Sequence, residues 1–289
     1  MSSPRWLVTG AGGMLGRDLV SLLERRGAAV TPLTRADLDI TDREAVLGAV
    51  RDARPDIVVN CAAWTAVDLA ESREAEALAV NGGGAENVAA GCAAAGARMI
   101  QLSTDYVFDG TARVPYAEDA APAPATAYGR TKLTGEQAVT VLLPGRSWIL
   151  RTAWLYGAHG GSFVATMIRL AGEPDGVTVV DDQHGQPTST VTVAELILAL
   201  ARAEAPAGVY HATCSGQTTW FGLAREIFGL VGADPGRVTP IPSTQLARPA
   251  PRPGYSVLGH GAWARAGLPA PEDWRAALHR DFPAFAPAG

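Results

Sequence analysis

The pair of residues with the clearest chemical potential is Tyr128 and Lys132, which are four positions apart. On a helix this spacing puts both side chains on one face, one turn apart. The ordinary pKa of tyrosine is about 10, and a neighbouring ammonium group lowers it by favouring the phenolate. We therefore expect Tyr128 to give a proton to a carbonyl oxygen, while Lys132 lowers its pKa and Thr104 holds the same oxygen. Because Tyr-x-x-x-Lys also occurs by chance on exposed helices, the interpretation needs a second motif.

The second motif is a glycine turn near the N-terminus, with Gly10, Gly13 and Gly16 following a short apolar run. Strand, glycine turn and helix form the context that a dinucleotide fingerprint requires. The helix that this turn opens is predicted to carry Leu15, Leu19, Leu22 and Leu23 on one stripe. Gly10 permits the tight turn, Gly13 lets the backbone approach a pyrophosphate, and Gly16 lets the helix pack closely on the strand. Glycine turns also occur without ligands. Combined with the tyrosine–lysine pair, however, this one indicates a dinucleotide-dependent carbonyl reduction.

With these motifs in place, the chain resembles the extended short-chain dehydrogenases/reductases and, within them, the dTDP-4-dehydrorhamnose reductases. The resemblance covers nearly the whole chain. Besides the two motifs, its matching segments are residues 37–42, 59–63, 65–68, 103–108, 151–154, 182–188 and 252–253.

The resemblance implies an α/β fold, a Rossmann-type doubly wound parallel sheet with a smaller C-terminal substrate-binding lobe. Residues 1–156 are expected to form the dinucleotide-binding domain. Residues 157–289 are expected to form mainly the substrate-binding lobe, with segments that return to the cofactor domain.

The expected cofactor is NADPH, with NADH also accepted. NAD-specific folds place an acid at the end of the second strand, whereas this chain has Thr34 and Arg35 there, which suit a 2′-phosphate. The family places the pair Asp39 and Ile40 against the adenine. Together with these four residues, the predicted cofactor-binding set is Gly10, Gly13, Met14, Leu15, Gly16, Ala62, Ala63, Trp64, Thr65, Ser103, Tyr128 and Lys132.

The predicted substrate-binding residues follow from the same resemblance, and Trp154 is the most informative of them. A tryptophan at the ligand end of a strand is more often a core residue, but the family uses the matching residue against the sugar. The full set is Val67, Thr104, Asp105, Trp154, Gln183 and Arg252.

The implied activity is NAD(P)H-dependent reduction of the C4 ketone of a dTDP-4-keto-6-deoxyhexose, with dTDP-4-dehydro-β-L-rhamnose giving dTDP-β-L-rhamnose as the leading expectation. One alternative is a ketoreductase for another dTDP-deoxysugar of an antibiotic pathway, including the dihydrostreptose type. Another is a non-catalytic regulatory subunit, which the presence of Thr104, Tyr128 and Lys132 disfavours. Dehydration is disfavoured because Tyr106 occupies the position where the dehydratases of this superfamily carry an acid.

Composition excludes several other classes of protein. The chain of 289 residues is 47% hydrophobic, which suits a folded domain, and its net charge of −5 with no basic cluster argues against nucleic acid as a partner. We expect no membrane span and no metal site. The scattered cysteines Cys61, Cys92 and Cys214 are expected to be reduced core thiols of a cytoplasmic protein. The sequence leaves a homodimer open as the assembly.

Several local features leave questions for the structure. Pro32 suggests that the second strand ends early. The run Gly82 to Gly84 either breaks a helix or faces a close neighbour. Ser162 departs from the asparagine usual in the family. Residues 240–253 are expected to form a loop, and residues 263–282 a helical tail.

Overall fold

A computed structural model describes residues 4–285 of the chain. Its strands are β1 (Trp6–Thr9), β2 (Val30–Leu33), β3 (Ile57–Asn60), β4 (Arg98–Thr104), β5 (Ser147–Thr152), β6 (Leu155–Tyr156), β7 (Val177–Val180), β8 (His184–Gly185), β9 (Thr188–Ser189), β10 (Gly208–His211), β11 (Thr218–Thr219) and β12 (Val238–Ile241).

The helices are α1 (Met14–Arg25), α2 (Arg43–Ala53), α3 (Val67–Ala70), α4 (Glu74–Leu78), α5 (Ala85–Ala95), α6 (Ala127–Leu142), α7 (Phe163–Ala171), α8 (Thr190–Arg202), α9 (Trp220–Leu230), α10 (Gly261–Arg265) and α11 (Trp274–Asp281). A π-helical segment, Ala79–Gly84, joins α4 to α5.

The central sheet has six parallel strands in the order β2-β1-β3-β4-β5-β10. The inner strands β1, β3 and β5 are buried along their whole length, as expected where helices cover both faces of a parallel sheet. The strand order reverses between β1 and β3, and ligands of open α/β sheets bind at such a point, beyond the carboxyl ends of the strands. The predicted α/β fold with a doubly wound parallel sheet is confirmed.

Helices cover both faces of this sheet. Helices α1 and α8 pack together on one face, and α2, α5 and α6 pack on the other. Helix α1 buries Leu15, Leu19, Leu22 and Leu23, the stripe that its sequence predicts. This stripe anchors α1 so that its N-terminal end meets the glycine turn after β1.

A separate apolar cluster forms the core of the C-terminal part, in which α7, α9 and α11 surround the β7–β12 pair. Helix α8 and strand β10 pack instead with the central sheet, although they lie between these elements in sequence. The division of the chain into domains at residue 156 stays a prediction.

The structure corrects three local expectations. Strand β2 continues through Pro32 to Leu33, because it lies at the edge of the sheet, where proline is tolerated. Strand β12 includes Pro240, which was expected to lie in a loop, and pairs with β7. The expected helical tail is two helices, α10 and α11, since the segment between them contains Pro269 and Pro271.

Of the two explanations predicted for the glycine run, a broken helix is wrong and a close neighbour is confirmed at Gly82 and Gly84. The helix is not broken but widens into a π-helical turn. A Cβ atom on Gly84 would lie 2.5 Å from Cδ1 of Ile40, and one on Gly82 would lie 2.8 Å from Cδ1 of Leu78. A Cβ atom on Gly83 would meet nothing within 4 Å.

Between residues 4 and 285, no helix combines the length and the apolar character that crossing a membrane requires.

Candidate active site

A cavity of about 650 Å³, which we call the cofactor cavity, opens at the carboxyl ends of β1, β2 and β3. Its wall contains most of the residues predicted to bind the cofactor, namely Gly10, Gly13, Thr34, Arg35, Asp39, Ile40, Ala62, Ala63 and Trp64. They converge because the turns after three neighbouring parallel strands meet at one edge of the sheet.

The glycine turn fits the pyrophosphate of a dinucleotide. Gly10 has φ of +65°, and a Cβ atom there would lie 2.6 Å from the backbone nitrogen of Ala62. Gly13 is the N-cap of α1 but supplies no side-chain hydrogen bond, and the first turn carries no acid. The first-turn N–H groups of a 12-residue helix are therefore available to an anion.

The remaining predicted cofactor residues lie outside this wall. Gly16 and Leu15 are buried under the turn, where a Cβ atom on Gly16 would lie only 2.3 Å from the carbonyl oxygen of Gly10. The side chain of Met14 faces Gly157. Thr65 is exposed beyond the cavity.

Asn81, in the π-helical segment, connects the cofactor cavity with helix α6. Its side-chain oxygen accepts from the N–H of Trp64 (2.9 Å), and its Nδ2 donates to the carbonyl oxygen of Trp64 (3.1 Å). The same Nδ2 donates to Oγ1 of Thr131 (3.1 Å). No local motif indicates this role of Asn81, because its partners are 17 and 50 residues away.

The predicted catalytic residues come together at the end of β4. Thr104 is the last residue of that strand, and Tyr128 and Lys132 share a face of α6, whose N-cap is Thr126. The Thr104 and Tyr128 side chains are neighbours there. The Tyr128 ring makes an edge contact with that of Tyr106, with their centroids 5.6 Å apart.

The predicted lowering of the tyrosine pKa is wrong for this structure. Burial raises the pKa of Tyr128 to about 12, although the neighbouring Thr104 side chain opposes the rise. Lys132 is not among the groups that offset it, and its Nζ donates to the carbonyl oxygen of Leu102 (2.5 Å). Burial in turn lowers the pKa of Lys132 to about 8. The phenol thus holds its proton at neutral pH, as a proton donor must.

A buried ion pair that the sequence did not predict lies one helical turn beyond Lys132. Glu136 accepts from Nη2 (2.8 Å) and Nε (3.0 Å) of Arg151, and their side chains are 6% and 4% exposed. Ser103 also donates to Glu136, which occupies its hydroxyl inside the protein. Glu136 is one helical turn beyond Lys132, so extending the four-residue spacing by one step would have found it.

A second cavity of about 600 Å³, which we call the sugar cavity, lies between the end of β4 and the C-terminal part. Three of the predicted substrate residues line it, namely Trp154, Gln183 and Arg252. The others that line it include Tyr106, Phe163, Met167, Trp220, Ser243, Leu246, Arg248 and Ser256.

Trp154 combines core packing with exposure to the sugar cavity. Its ring stacks on that of Trp220, with centroids 3.6 Å apart and planes 8° from parallel. Its φ of +47° is unusual for a bulky residue and is retained only where surrounding contacts enforce it. A Cβ atom on Gly185 would lie 2.3 Å from the Trp154 ring, so Gly185 makes room for it.

Arg252 is already paired in this structure. Its guanidinium group donates to both carboxylate oxygens of Asp68, at 2.8 and 2.7 Å, and thereby joins the loop after β12 to α3. Arg248 lies 3.6 Å from the same carboxylate. Val67 precedes Asp68 on α3 and lies outside the cavity wall.

Asp105 lies beneath the sugar cavity rather than in its wall. The side chain is 2% exposed, and its Oδ1 accepts from the Thr104 hydroxyl (3.0 Å). Burial raises the pKa of Asp105 to about 6.

The departure at Ser162 has a structural explanation. Ser162 is the N-cap of α7, and its hydroxyl accepts from the N–H of Ala165 (3.1 Å). Serine and asparagine are about equally good in this position.

No cluster of three or more potential metal ligands occurs in the part of the chain that the structure describes. The parallel sheet, the glycine turn and the Thr/Tyr/Lys group define the class: the protein is an NAD(P)-binding oxidoreductase with extended short-chain dehydrogenase/reductase architecture.

Comparisons with known proteins narrow the class to one family. A family model described as RmlD substrate binding domain matches residues 4–285. A dTDP-4-dehydrorhamnose reductase of Streptomyces griseus is 59% identical over 98% of this chain and 94% of its own. A dTDP-4-keto-6-deoxy-D-glucose reductase of Streptomyces niveus is 56% identical over 96% of each chain.

A solved structure gives the same result. The dTDP-4-dehydrorhamnose reductase of Bacillus anthracis, in complex with NADP, has a TM-score of 0.94 and 37% identity, covering 97% of this chain and 99% of its own. The chain belongs to the dTDP-4-dehydrorhamnose reductase family.

Proposed function

We propose that the protein reduces the C4 ketone of a dTDP-4-keto-6-deoxyhexose with NADPH, and with NADH as a second donor. The leading substrate is dTDP-4-dehydro-β-L-rhamnose, with dTDP-β-L-rhamnose as the product. The relative from Streptomyces niveus favours a second candidate, dTDP-4-keto-6-deoxy-D-glucose.

One observation carries the proposal: Tyr128 stands between the two cavities. It contacts Tyr106, which lines the sugar cavity, and packs in the same cluster as Trp64, which lines the cofactor cavity. A proton donor in that position reaches a ketone bound between a sugar nucleotide and a dinucleotide.

In the proposed reaction, Tyr128, Thr104 and Lys132 have separate roles. When bound, the reduced nicotinamide supplies the hydride to C4. Tyr128 gives its proton to the ketone oxygen, and the Thr104 hydroxyl holds that oxygen. Lys132, which already donates to a backbone carbonyl, is in our proposal the residue that holds the nicotinamide ribose.

The two cavities provide matching surfaces for the two ligands. First-turn N–H groups of α1 would bind the pyrophosphate, and Asp39 and Ile40 would lie against the adenine. In the sugar cavity, the Trp154–Trp220 stack suits the apolar face of a deoxysugar or the thymine ring, and Arg248 suits the diphosphate.

The test presents several dTDP-4-keto-6-deoxy sugars to the purified protein with NADPH or NADH. Oxidation of the cofactor is followed by absorbance, and NMR of the product gives the C4 configuration. We expect stoichiometric oxidation with at least one 4-keto sugar. No oxidation with any of them would overturn the proposal.

Cellular location and assembly are part of the same proposal. All three cysteines are free thiols, which agrees with a cytoplasmic enzyme. A homodimer is the assembly we propose, and light scattering coupled to gel filtration tests it.

A further inference from the structure

The turn that follows β2 holds an acid that the end of the strand itself lacks. Asp37 accepts, through one carboxylate oxygen, from both the N–H (2.9 Å) and the hydroxyl (2.6 Å) of Thr34. The N–H groups of Asp37 and Leu38 donate back to the carbonyl oxygen of Thr34, which closes the turn. Thr34 was predicted to donate a hydrogen bond to a 2′-phosphate, but both its N–H and its hydroxyl are already bound to a carboxylate.

The turn after β2 carries charges of both signs next to the cofactor cavity. Arg35 lines the cofactor cavity and is exposed, and no carboxylate among residues 4–285 lies within 4.0 Å of its guanidinium nitrogens. The hydroxyl and N–H of Thr34 lower the pKa of Asp37, so this carboxylate is anionic at neutral pH. Asp39 lines the same cavity, and hydrogen bonds from Thr41, assisted by Arg35, lower its pKa.

We propose that Asp37 is a specificity-determining residue that limits the preference for NADPH by competing with its 2′-phosphate for Thr34. A phosphate that reaches Arg35 must displace the carboxylate from Thr34 or stay beside it, and two anions repel. The neutral 2′-hydroxyl of NADH brings no such repulsion and can itself donate to a carboxylate. Acceptance of both cofactors then follows from the balance between Arg35 and Asp37. This inference rests on the proposed dinucleotide site.

Binding measurements test the inference without turnover. Calorimetry would compare adenosine 2′,5′-bisphosphate with adenosine 5′-monophosphate, and NADPH with NADH, on the purified full chain. Asp37→Ala removes the competitor, so we expect about three- to fivefold tighter binding of the two ligands with a 2′-phosphate and little change for the others. Arg35→Ala should weaken the same two ligands selectively.

Two further variants separate the effect of the Asp37 charge from the effects of its hydrogen bonds to Thr34 and of the net charge of the protein. Asp37→Asn keeps an acceptor for Thr34 and removes the charge, so it should preserve the turn and give an intermediate gain. Asp52→Asn removes an exposed acid near the far end of α2 and changes the net charge equally. It should leave the ratio of affinities unchanged.

Several outcomes would overturn the inference. These are an unchanged ratio in both Asp37 variants while their thermal unfolding stays normal, an equal loss for all four ligands, and an equal shift in Asp52→Asn. Selective binding without reduction of any sugar would overturn the proposed reaction and leave this inference standing.

Discussion

The cofactor cavity and the sugar cavity are assembled in opposite ways. The first is built mainly from short segments directly after β1, β2 and β3, with Glu76, Ala79 and Val80 beside them, and many of its lining residues are glycine or alanine. The second is built from larger side chains that come from separate segments between residues 106 and 256. Added atoms should therefore disrupt the closely packed turns of the cofactor cavity, whereas removal of side chains should weaken binding in the sugar cavity.

The largest effect is expected at Tyr128, which contacts Tyr106 of the sugar cavity and packs in the same cluster as Trp64 of the cofactor cavity. Tyr128→Phe removes the proton donor and keeps the ring, so kcat should fall by about 10²–10⁴-fold. Dinucleotide affinity, measured by fluorescence titration, should stay nearly unchanged.

Tyr116→Phe is the matched control, because Tyr116 stacks on Phe108 and donates to Asp109, away from both cavities. It should keep most of the activity. Turnover of Tyr128→Phe close to that of the unmodified protein would rule out Tyr128 as the acid.

The next largest effect is expected at the glycine turn beside the cofactor cavity, where one methyl group is added. Gly16→Ala would place Cβ 2.3 Å from the Gly10 carbonyl oxygen and 2.8 Å from Cα of Ala11. Backbone atoms cannot yield, so we expect unfolding free energy to fall by about 3 kcal/mol, measured by urea denaturation.

Gly83→Ala is the control for the same chemical change in open space. Because its Cβ would meet nothing within 4 Å, it should be neutral or stabilise by up to about 1 kcal/mol. Equal losses in both variants would show that the helices, rather than the glycine turn, are sensitive to the methyl group.

In the sugar cavity, the test is the removal of an aromatic ring. Trp154→Ala deletes half of the stack with Trp220, so KM for the sugar nucleotide should rise by about thirtyfold and KM for the cofactor should change little. Trp154→Phe should restore most of the affinity. A parallel rise in both KM values, with a lower melting temperature, would identify Trp154 as a core residue only.

The smallest effect concerns pH. Burial lowers the pKa of Lys132 to about 8, so its ammonium loses the proton as pH rises through that value. If the charged form holds the nicotinamide ribose, dinucleotide affinity should fall by about fivefold between about pH 7 and about pH 9. Lys132→Met should bind more weakly and show no such fall. A pH-independent affinity of the unmodified protein would contradict the role of Lys132.

The same contrast explains what could be predicted from sequence. The glycine turn and the segment after β3 each lie within one contiguous strand-and-turn pattern, so their residues and their meeting point followed from topology. Tyr128 and Lys132 followed from helical spacing. These features depend on neighbours in sequence or on the rule that parallel strands end at one edge.

The features that sequence reasoning missed depend on distant partners or on burial. Asp68 and Arg252 are 184 residues apart, and nothing local indicates their pairing. The raised pKa of Tyr128 comes from burial, which a motif does not report. Trp220 begins a helix with no motif of its own, yet it stacks on Trp154.

The π-helical segment limits which mutations the chain can tolerate. Asn81 can reach both Trp64 and Thr131 only while the helices on either side of it keep their relative rotation. Gaining or losing one residue in the glycine run would turn one helix against the other by about 100°. We therefore expect the length of the run to matter more than its composition, with position 83 open to substitution and closed to insertion or deletion.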